Sequence, residues 1–331
     1  MKENIMKKSC QRYLFITLCC TIFLLVLYQQ LQSIIATDYS AAQNEQRKKF
    51  WAVYMTLNNP FYEIIDDEIR TAVEKNGDTL LTRDAALSTD RQTEEVQELV
   101  DDGIKVLFLN AVDWQQIGPA LAVAKKAGVP VIAIDTNVDD KDSAAVAITI
   151  VSDNYEAGVE CAENMLANLP GGNIVLLKHS QAKSAVDRIN GFVDTIRDYP
   201  SFKIIDSAEC KGQLELAMPA MEALIKKHND INVVMALNDP AAMGAMAALK
   251  NAGQLDQVSV YGVDGAPETK EMILRGNMTA TAAQSPRRIG SLAASKAYGL
   301  LNGTSTESII KLPTTLLTTQ NITQYNINGW D

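Results

Sequence analysis

The stretch VQELVDDGIKVLFLN, residues 96–110, decides the fold because it contains one complete joint between a helix and a strand. Val96 and Leu99 recur at helical spacing, which predicts a helix with one apolar face. Gly103 follows that helix at the position where a left-handed backbone favours glycine. Residues 105–109 (KVLFL) then form an apolar run, which predicts a strand buried on both faces of a parallel sheet.

The same joint recurs along the chain from Lys49 onward. Segments 121–134 and 246–261 repeat the order of helical pattern, glycine and apolar strand. About nine strands are predicted, at residues 50–55, 79–82, 105–109, 130–134, 145–150, 174–177, 232–236, 258–261 and 278–282. They are too many for one small sheet, and a chain of 331 residues is too long for one compact lobe. We therefore predict an α/β fold with two Rossmann-like lobes, each built on a parallel sheet.

Polar side chains follow several of these strands, at the point where each strand ends. They are Asn58, Asn59, Asn110, Asp135, Asn238 and Asp264. Open α/β sheets bind ligands beyond the carboxyl ends of their strands, so these side chains are expected to converge. Each of them alone also fits a turn former or a helix N-cap. Their recurrence at several strand ends favours a polar pocket.

Four segments resemble the ribose-type periplasmic sugar-binding proteins. They are TLNNPFY (residues 56–62), VSDN (151–154), NDPAAMGA (238–245) and GVDGAP (262–267), and the similarity runs from about residue 50 to residue 320. The resemblance implies a type I periplasmic binding protein fold, in which two α/β lobes are joined by a three-strand hinge and close over a sugar. It implies a first lobe of residues 49–151 with 285–313 and a second lobe of residues 152–284 with 314–331.

The resemblance also implies a set of ligand-binding residues. They are Asn59, Phe61, Tyr62, Asn110, Asp135, Arg188, Asn238, Asp264 and Gln284. Carboxylates and amides can pair with adjacent sugar hydroxyls, a guanidinium donates a fork of hydrogen bonds, and aromatic rings pack on the apolar face of a sugar. For the two aromatic residues the alternative is a hydrophobic anchor at a helix start, since Pro60 suits a first helical turn.

Two positions depart from the family pattern. Thr136 stands where ribose binders carry an arginine, and segment 210–214 (CKGQL) lacks the expected aromatic residue. The ligand class predicted is therefore a pentose or a hexose, without an assignment to ribose.

The N-terminus carries a membrane signal. After the bases Lys7, Lys8 and Arg12, residues 13–28 form an apolar run of 16 residues. Basic residues before such a run place the following chain outside the cytoplasm. We predict a cytoplasmic flank, a retained membrane anchor and a linker, at residues 1–12, 13–36 and 37–48. The alternative is a cleaved signal and a soluble product, but the best small-residue cleavage site, at residues 40–42, is distant from the run.

Composition excludes several classes of protein. A formal net charge of -10 disfavours nucleic acid binding, and five cysteines do not form a disulfide scaffold. Cys161 and Cys210 are expected to be buried thiols. The only histidines, His179 and His228, are far apart without a cysteine at ligand spacing, which disfavours zinc. We found no dinucleotide fingerprint, phosphate loop or pairing of nucleophile and base, so no cofactor, metal or enzymatic activity is predicted.

Two extracytoplasmic functions fit this sequence. A sugar receptor can deliver its ligand to an ABC importer, or a tethered sensor can report sugar occupancy to a membrane histidine kinase. A cleaved, soluble receptor of an importer is the alternative to both anchored forms. A sugar-responsive transcription repressor is less favoured, because an apolar run occupies the place where its helix-turn-helix would lie.

Overall fold

The computed structural model describes Met6, Thr21 and residues 23–32, 47–304 and 307–330. The chain divides into two compact units, Met1–Lys48 and Lys49–Asp331. In the first unit Thr21 and residues 23–32 are helical, and the rest of the predicted anchor lies outside the described residues. The same is true of the predicted flank apart from Met6, and of most of the linker. Among the residues described, no helix combines the length and the apolar character needed to cross a membrane.

The second unit, called the body below, alternates strands and helices. Its strands are β1 (Lys49–Tyr54), β2 (Thr79–Asp84), β3 (Val106–Leu109), β4 (Val131–Ile134), β5 (Ile148–Ser152), β6 (Gly172–Lys178), β7 (Phe202–Glu209), β8 (Val233–Ala236), β9 (Ser259–Asp264), β10 (Ala280–Ala283), β11 (Ile309–Leu312) and β12 (Thr315–Thr318). Its α-helices are α1 (Pro60–Lys75), α2 (Thr89–Asp101), α3 (Gly118–Lys126), α4 (Asn154–Asn168), α5 (Lys183–Ile196), α6 (Leu214–Lys227), α7 (Asp239–Asn251), α8 (Pro267–Leu274) and α9 (Pro286–Leu301). Short 3-10 helices cover Ser143–Ala145, Leu255–Gln257 and Ile322–Gln324.

The strands form two six-stranded sheets, which confirms the prediction of two α/β lobes. The first sheet has the order β11-β5-β4-β3-β1-β2 and is parallel throughout. The second has the order β12-β10-β9-β8-β6-β7. We call the first sheet with α1, α2, α3 and α9 the first lobe, and the second sheet with α4 to α8 the second lobe.

One strand departs from the predicted parallel pattern. β12 pairs with β10 in the antiparallel direction. Only Pro313 and Thr314 separate it from β11, which lies at the edge of the other sheet. The chain therefore passes directly from the edge of the first sheet to the edge of the second.

The helix-to-strand joints have the geometry that the sequence predicts. Gly103, Gly128 and Gly253 adopt φ angles of +78°, +70° and +70°, in the left-handed region that favours glycine. The strands that follow the first two joints, β3 and β4, are buried at every position. The predicted helix–glycine–strand unit is confirmed at these joints.

The chain passes between the two lobes in three places. It leaves the first lobe after β5, returns between β10 and α9, and crosses again between β11 and β12. The residue limits predicted for the lobes stay a prediction.

Helices α4 and α5 approach each other closely enough for their backbones to touch. A Cβ atom built on Gly158 would lie 1.9 Å from the carbonyl oxygen of Arg188, and one on Gly191 would lie 2.0 Å from that of Tyr155. Only glycine permits this approach, which fixes the position of Arg188 relative to α4. Cys161, on α4, is a buried free thiol, and so is Cys210, as predicted.

Candidate functional site

A cavity of about 310 Å³ lies between the lobes, where the carboxyl ends of strands from both sheets meet. Its volume is at the lower end of the range for small-molecule sites. The cavity lining contains seven of the nine residues predicted to bind ligand: Asn59, Phe61, Tyr62, Asp135, Arg188, Asn238 and Asp264. The other two, Asn110 and Gln284, are outside the lining. They donate hydrogen bonds to Asp135 and Asp264, respectively.

Asn59 caps a helix and also lines the cavity, and its contact with a ligand stays a prediction. Its Oδ1 accepts a hydrogen bond from the Phe61 amide at 3.0 Å, which caps the start of α1. Its Nδ2 donates to Oδ2 of Asp264 at 3.4 Å. Asn59 therefore begins a first-lobe helix and contacts a second-lobe carboxylate with the same side chain.

The aromatic pair on α1 is both cavity wall and core. Phe61 is 1% exposed and its ring meets that of Tyr62 edge-on, with centroids 5.8 Å apart at 83°. The Tyr62 hydroxyl lies 3.4 Å from Oδ2 of Asp135 and 3.4 Å from Sδ of Met55. Burial raises the pKa of Tyr62, so it stays a neutral hydrogen-bond donor. The two rings therefore line the cavity and also anchor the start of α1 in the hydrophobic core, and their contact with a sugar stays a prediction.

Asp135 follows β4 in a strained conformation. Its φ angle is +66°, a region that non-glycine residues adopt rarely and that is concentrated at functional sites. Nδ2 of Asn110 donates to its Oδ2 at 3.2 Å and to the carbonyl oxygen of Ile134 at 3.2 Å, so Asn110 orients the carboxylate from behind. Asp135 is 2% exposed, and burial raises its pKa against the opposing effect of Arg188.

Asp264, at the end of β9, is the second acidic residue with a strained backbone. Its φ angle is +138°. Gln284 Nε2 donates to its Oδ1 at 2.8 Å, and Nη1 of Arg188 lies 3.5 Å from the same oxygen. Burial raises the pKa of Asp264 to about 8, while the Arg188 guanidinium acts to lower it. Gln284 thus supports the carboxylate from outside the cavity lining.

Arg188 is held by the close packing of α4 and α5. Its Nε donates to Oδ1 of Asn154 at 2.8 Å, and its Nη1 donates to the carbonyl oxygen of Leu237 at 3.0 Å. The side chain is buried and faces the cavity. Asn154, the last residue of the VSDN segment, is therefore a positioning residue that the sequence prediction omitted.

Asn238 lines the cavity and bonds to protein groups through both Oδ1 and Nδ2. Its Oδ1 accepts from the Ala241 amide at 3.0 Å, which caps α7, and its Nδ2 donates to the carbonyl oxygen of Gly212 at 3.0 Å. Asn238 is therefore the N-cap of α7 as well as a cavity-lining residue, and its contact with a ligand stays a prediction.

His179 is a cavity residue that the sequence prediction missed. It follows β6, at the same kind of strand end as the predicted residues, and it is 4% exposed. Its Nε2 makes no hydrogen bond to any part of the chain that the structure describes. Burial lowers its pKa to about 4, so the imidazole is neutral at pH 7. Its position after a strand is the signal that could have identified it.

The second-lobe wall contributes no Phe, Tyr or Trp side chain to the described lining, unlike the first-lobe wall. The non-polar residues that it contributes to the cavity are Ala182, Ala185, Gly212, Leu214, Leu237, Pro240 and Met243. Within the described lining, aromatic carbon rings come only from Phe61 and Tyr62 of the first lobe. This agrees with the departure noted at segment 210–214.

Hydrogen bonds join the lobes on both sides of the cavity. On one side Asn58 Nδ2 donates to Oε1 of Glu215 at 2.6 Å. On the other the Trp114 indole donates to the carbonyl oxygen of Ser180 at 3.3 Å, and Gln181 Nε2 donates to Oδ2 of Asp113 at 3.2 Å. The structure therefore has its cleft closed over the cavity.

Comparison with known proteins identifies what this arrangement is similar to. Residues 52–305 match the family model described as a periplasmic binding protein domain. The ribose import binding protein of Salmonella typhimurium is 31% identical over 277 residues, 82% of this chain and 92% of that protein. The D-apiose import binding protein of Actinobacillus succinogenes is 32% identical over 230 residues, 69% of this chain and 73% of that protein.

A solved structure agrees with these relatives. An ABC transporter solute binding protein from Mycobacterium smegmatis, solved with bound glycerol, superimposes with a TM-score of 0.80. It is 29% identical, and the match covers 86% of this chain and 98% of that one. The two lobes and the cleft between them are thus an arrangement found in a solved solute-binding protein.

Proposed function

The chain belongs to the periplasmic binding protein family, and on that premise we propose that its body is a receptor that closes over one monosaccharide. The family consists of substrate-binding proteins rather than enzymes, so the bound sugar leaves unchanged. The observation that carries the proposal is the pairing of two buried carboxylates, Asp135 and Asp264, with Arg188 around a closed cavity. Groups of this kind bind the vicinal hydroxyls of a sugar by charge-assisted hydrogen bonds.

The ligand class that we propose is a pentose or a hexose. The names of the relatives support a sugar of this size, since ribose and D-apiose import are assigned to them. The cavity volume of about 310 Å³ also suits a single sugar ring rather than an oligosaccharide. Thr136 and a second-lobe wall without a Phe, Tyr or Trp side chain are the features that separate the proposed specificity from that of the ribose binders.

Sugar binding is proposed to hold the lobes together. Asp135 comes from the first lobe and Asp264 from the second, so one ligand that contacts both carboxylates favours the closed state by those added contacts. The three chain crossings between the lobes, near Ser152, Gln284 and Thr314, are the proposed hinge. The lobes are proposed to have the limits 49–151 with 285–313 and 152–284 with 314–331.

The proposed location is the outer face of the cytoplasmic membrane, with residues 13–36 retained as an anchor. Family membership supports an extracytoplasmic body, and the basic flank followed by an apolar run supports the anchor. The protein should then remain in membrane fractions through high-salt and carbonate washes. A soluble product that begins near residues 42–43 would refute the anchor.

The proposed partner is the permease of an ABC sugar importer, because the relatives are import binding proteins. A membrane histidine kinase is the second candidate, and the apolar run without a nearby cleavage site favours it. Deleting the receptor distinguishes the two. Loss of labelled sugar uptake supports the importer, whereas intact uptake with a lost transcriptional response to sugar supports the sensor.

A panel of pentoses and hexoses tests the binding function. The full chain in mild detergent should be stabilised by at least one sugar, by about 2.7 kcal/mol at 100 times its dissociation constant. The matched control is the double variant Asp135→Asn, Asp264→Asn, which keeps the shape of both side chains and should lose the response. Absence of a thermal shift and of binding heat with every sugar of the panel would overturn the proposal.

A further inference from the structure

The segment of residues 325–330 lies against a cavity residue. It follows β12 and the 3-10 helix Ile322–Gln324, whose Ile322 is 1% exposed. At its end the Trp330 ring meets the Phe61 ring edge-on, with centroids 5.7 Å apart at 71°. Phe61, a wall residue of the cavity, therefore packs against Trp330 as well as against Tyr62.

The 325–330 segment is bonded to both lobes. Lys270, on α8 of the second lobe, is fully buried and donates from Nζ to the carbonyl oxygen of Gly329 at 2.5 Å. Arg287, on α9 of the first lobe, donates from Nε to the carbonyl oxygen of Trp330 at 3.4 Å. Arg287 also pairs with Glu68 of α1 at 2.6 Å, so it connects the segment to the helix that carries Phe61.

These bonds add a link between the lobes beyond the three chain crossings. Arg287 is the second residue of α9 and therefore lies beside the crossing between β10 and α9. A link close to a pivot moves little when the lobes rotate, so it can stay intact in open and closed states. The link then acts through the contact between Trp330 and Phe61. The Phe61 ring is enclosed by packed neighbours, so the position of Trp330 restricts its orientation.

We propose that Trp330 is a positioning residue for sugar binding, which fixes the Phe61 ring in the cavity wall, and that residues 325–330 are a fourth link between the lobes. The inference rests on the proposed sugar-binding function. Trp330 does not contact the ligand in this account; it acts through Phe61. Sequence reasoning gave no role to Trp330, because more than 260 residues separate it from Phe61 along the chain.

A double-mutant cycle on sugar affinity tests this positioning role. Trp330→Ala should weaken binding by about 2- to 10-fold, the affinity equivalent of one aromatic pair. Trp330→Phe, which keeps a ring against Phe61, should restore most of the affinity. In a Phe61→Leu background, Trp330→Ala should change affinity by less than about 2-fold, because the ring that it positions is gone.

The matched control is Tyr325→Ala, which removes another partly buried ring from the same segment. It should lower thermal stability without changing sugar affinity. Normal affinity in Trp330→Ala, or equal losses with and without Phe61, would overturn the inference and leave the sugar-binding function standing. Absence of sugar binding by the wild-type chain would refute the proposed function, and this inference with it.

A spectroscopic readout covers the case in which Trp330→Ala fails to fold. The chain has three tryptophans, so Trp51→Phe together with Trp114→Phe leaves Trp330 as the only indole. Sugar should change the fluorescence of this variant, and Phe61→Leu should abolish the change. Fluorescence that is unaffected by a sugar proven to bind would contradict the coupling.

Discussion

Each lobe places a strand-end carboxylate at the cavity, but the two carboxylates have different partners. Asp135, in the first lobe, is held by neutral partners, the Asn110 amide and the Tyr62 hydroxyl. Asp264, in the second lobe, lies 3.5 Å from the buried guanidinium of Arg188. Both carboxylates are buried with positive φ angles, so the difference lies in their partners rather than in their backbone. The second lobe therefore supplies the pairing of Arg188 with Asp264, and the first lobe supplies the Phe61 and Tyr62 rings.

This difference predicts that the two lobes contribute unequally to sugar affinity and to stability. A buried ion pair is expensive to break, because removing one partner leaves the other uncompensated. Neutral hydrogen bonds contribute less each. We therefore expect substitutions around Asp264 to cost more affinity and stability than substitutions around Asp135.

Replacement of Arg188 should have the largest effect. At pH 9, where Asp264 is ionised in the folded body, Arg188→Met leaves this carboxylate buried without its cation, so the body should lose about 3–5 kcal/mol of unfolding free energy. Sugar affinity should fall by more than about 100-fold, since charge-assisted bonds are worth about 1.5–3 kcal/mol each. Denaturant unfolding and calorimetry measure the two effects. The control is Arg197→Met, an exposed arginine just after the same helix, which should change neither.

The two carboxylates allow the comparison to be tested directly. Asp264→Ala should weaken sugar binding by about 10- to 150-fold, the loss of one charge-assisted bond. Asp135→Ala should weaken it by about 2- to 13-fold, because neutral partners hold that carboxylate. Calorimetry on the two variants gives the ratio. Equal losses would show that Arg188 does not distinguish the lobes.

Asn238→Ala separates a structural contact from a ligand contact. Both polar groups of Asn238 are bonded to the protein, one as the cap of α7. The variant should lose about 1 kcal/mol of stability, and Asn238→Ser should retain it. Sugar affinity should change by less than about 3-fold. A loss of more than 10-fold at unchanged stability would return Asn238 to the ligand-binding set.

Stability should also depend on pH, because the pKa of Asp264 differs between the folded and the unfolded chain. The pKa of Asp264 is raised in the folded body to about 8 from about 3.9 in the unfolded chain, so the folded state binds its proton more tightly. This contribution is complete below the unfolded pKa and is lost as pH rises through the folded pKa. Without sugar, Asp264→Asn should therefore become more stable relative to wild type between pH 4 and pH 9. A melting-temperature difference that is constant over this range would contradict the raised pKa.

The fold was predictable where strands are interior. All nine predicted strands exist. Eight of them are interior strands, which continuous apolar runs and glycine joints mark as covered by helices on both faces, and the ninth, β2, lies at a sheet edge. The three that were missed, β7, β11 and β12, all lie at sheet edges. Edge strands carry exposed polar residues, as in the sequence FKIIDSAE of β7. Such residues interrupt the apolar run by which a strand is predicted.

The site was predictable by position but not by orientation. Strand-end residues identified Asp135 and Asp264, and the resemblance added Arg188. Neither source could show that Asn110 orients a carboxylate from behind the cavity wall, since that depends on which way a side chain turns. His179 was considered only as a metal ligand, although its place after a strand is the same signal that identified the others.

Small-angle X-ray scattering of the body, residues 47–331, tests most directly the central claim that a sugar bridges the two carboxylates and holds the lobes together. With the sugar identified by the panel, the account predicts a smaller radius of gyration for wild type. Asp135→Ala, measured at a saturating concentration of the same sugar, should show a smaller compaction because the first lobe has lost its charged contact. Identical wild-type profiles with and without a sugar that calorimetry shows to be bound would contradict the account.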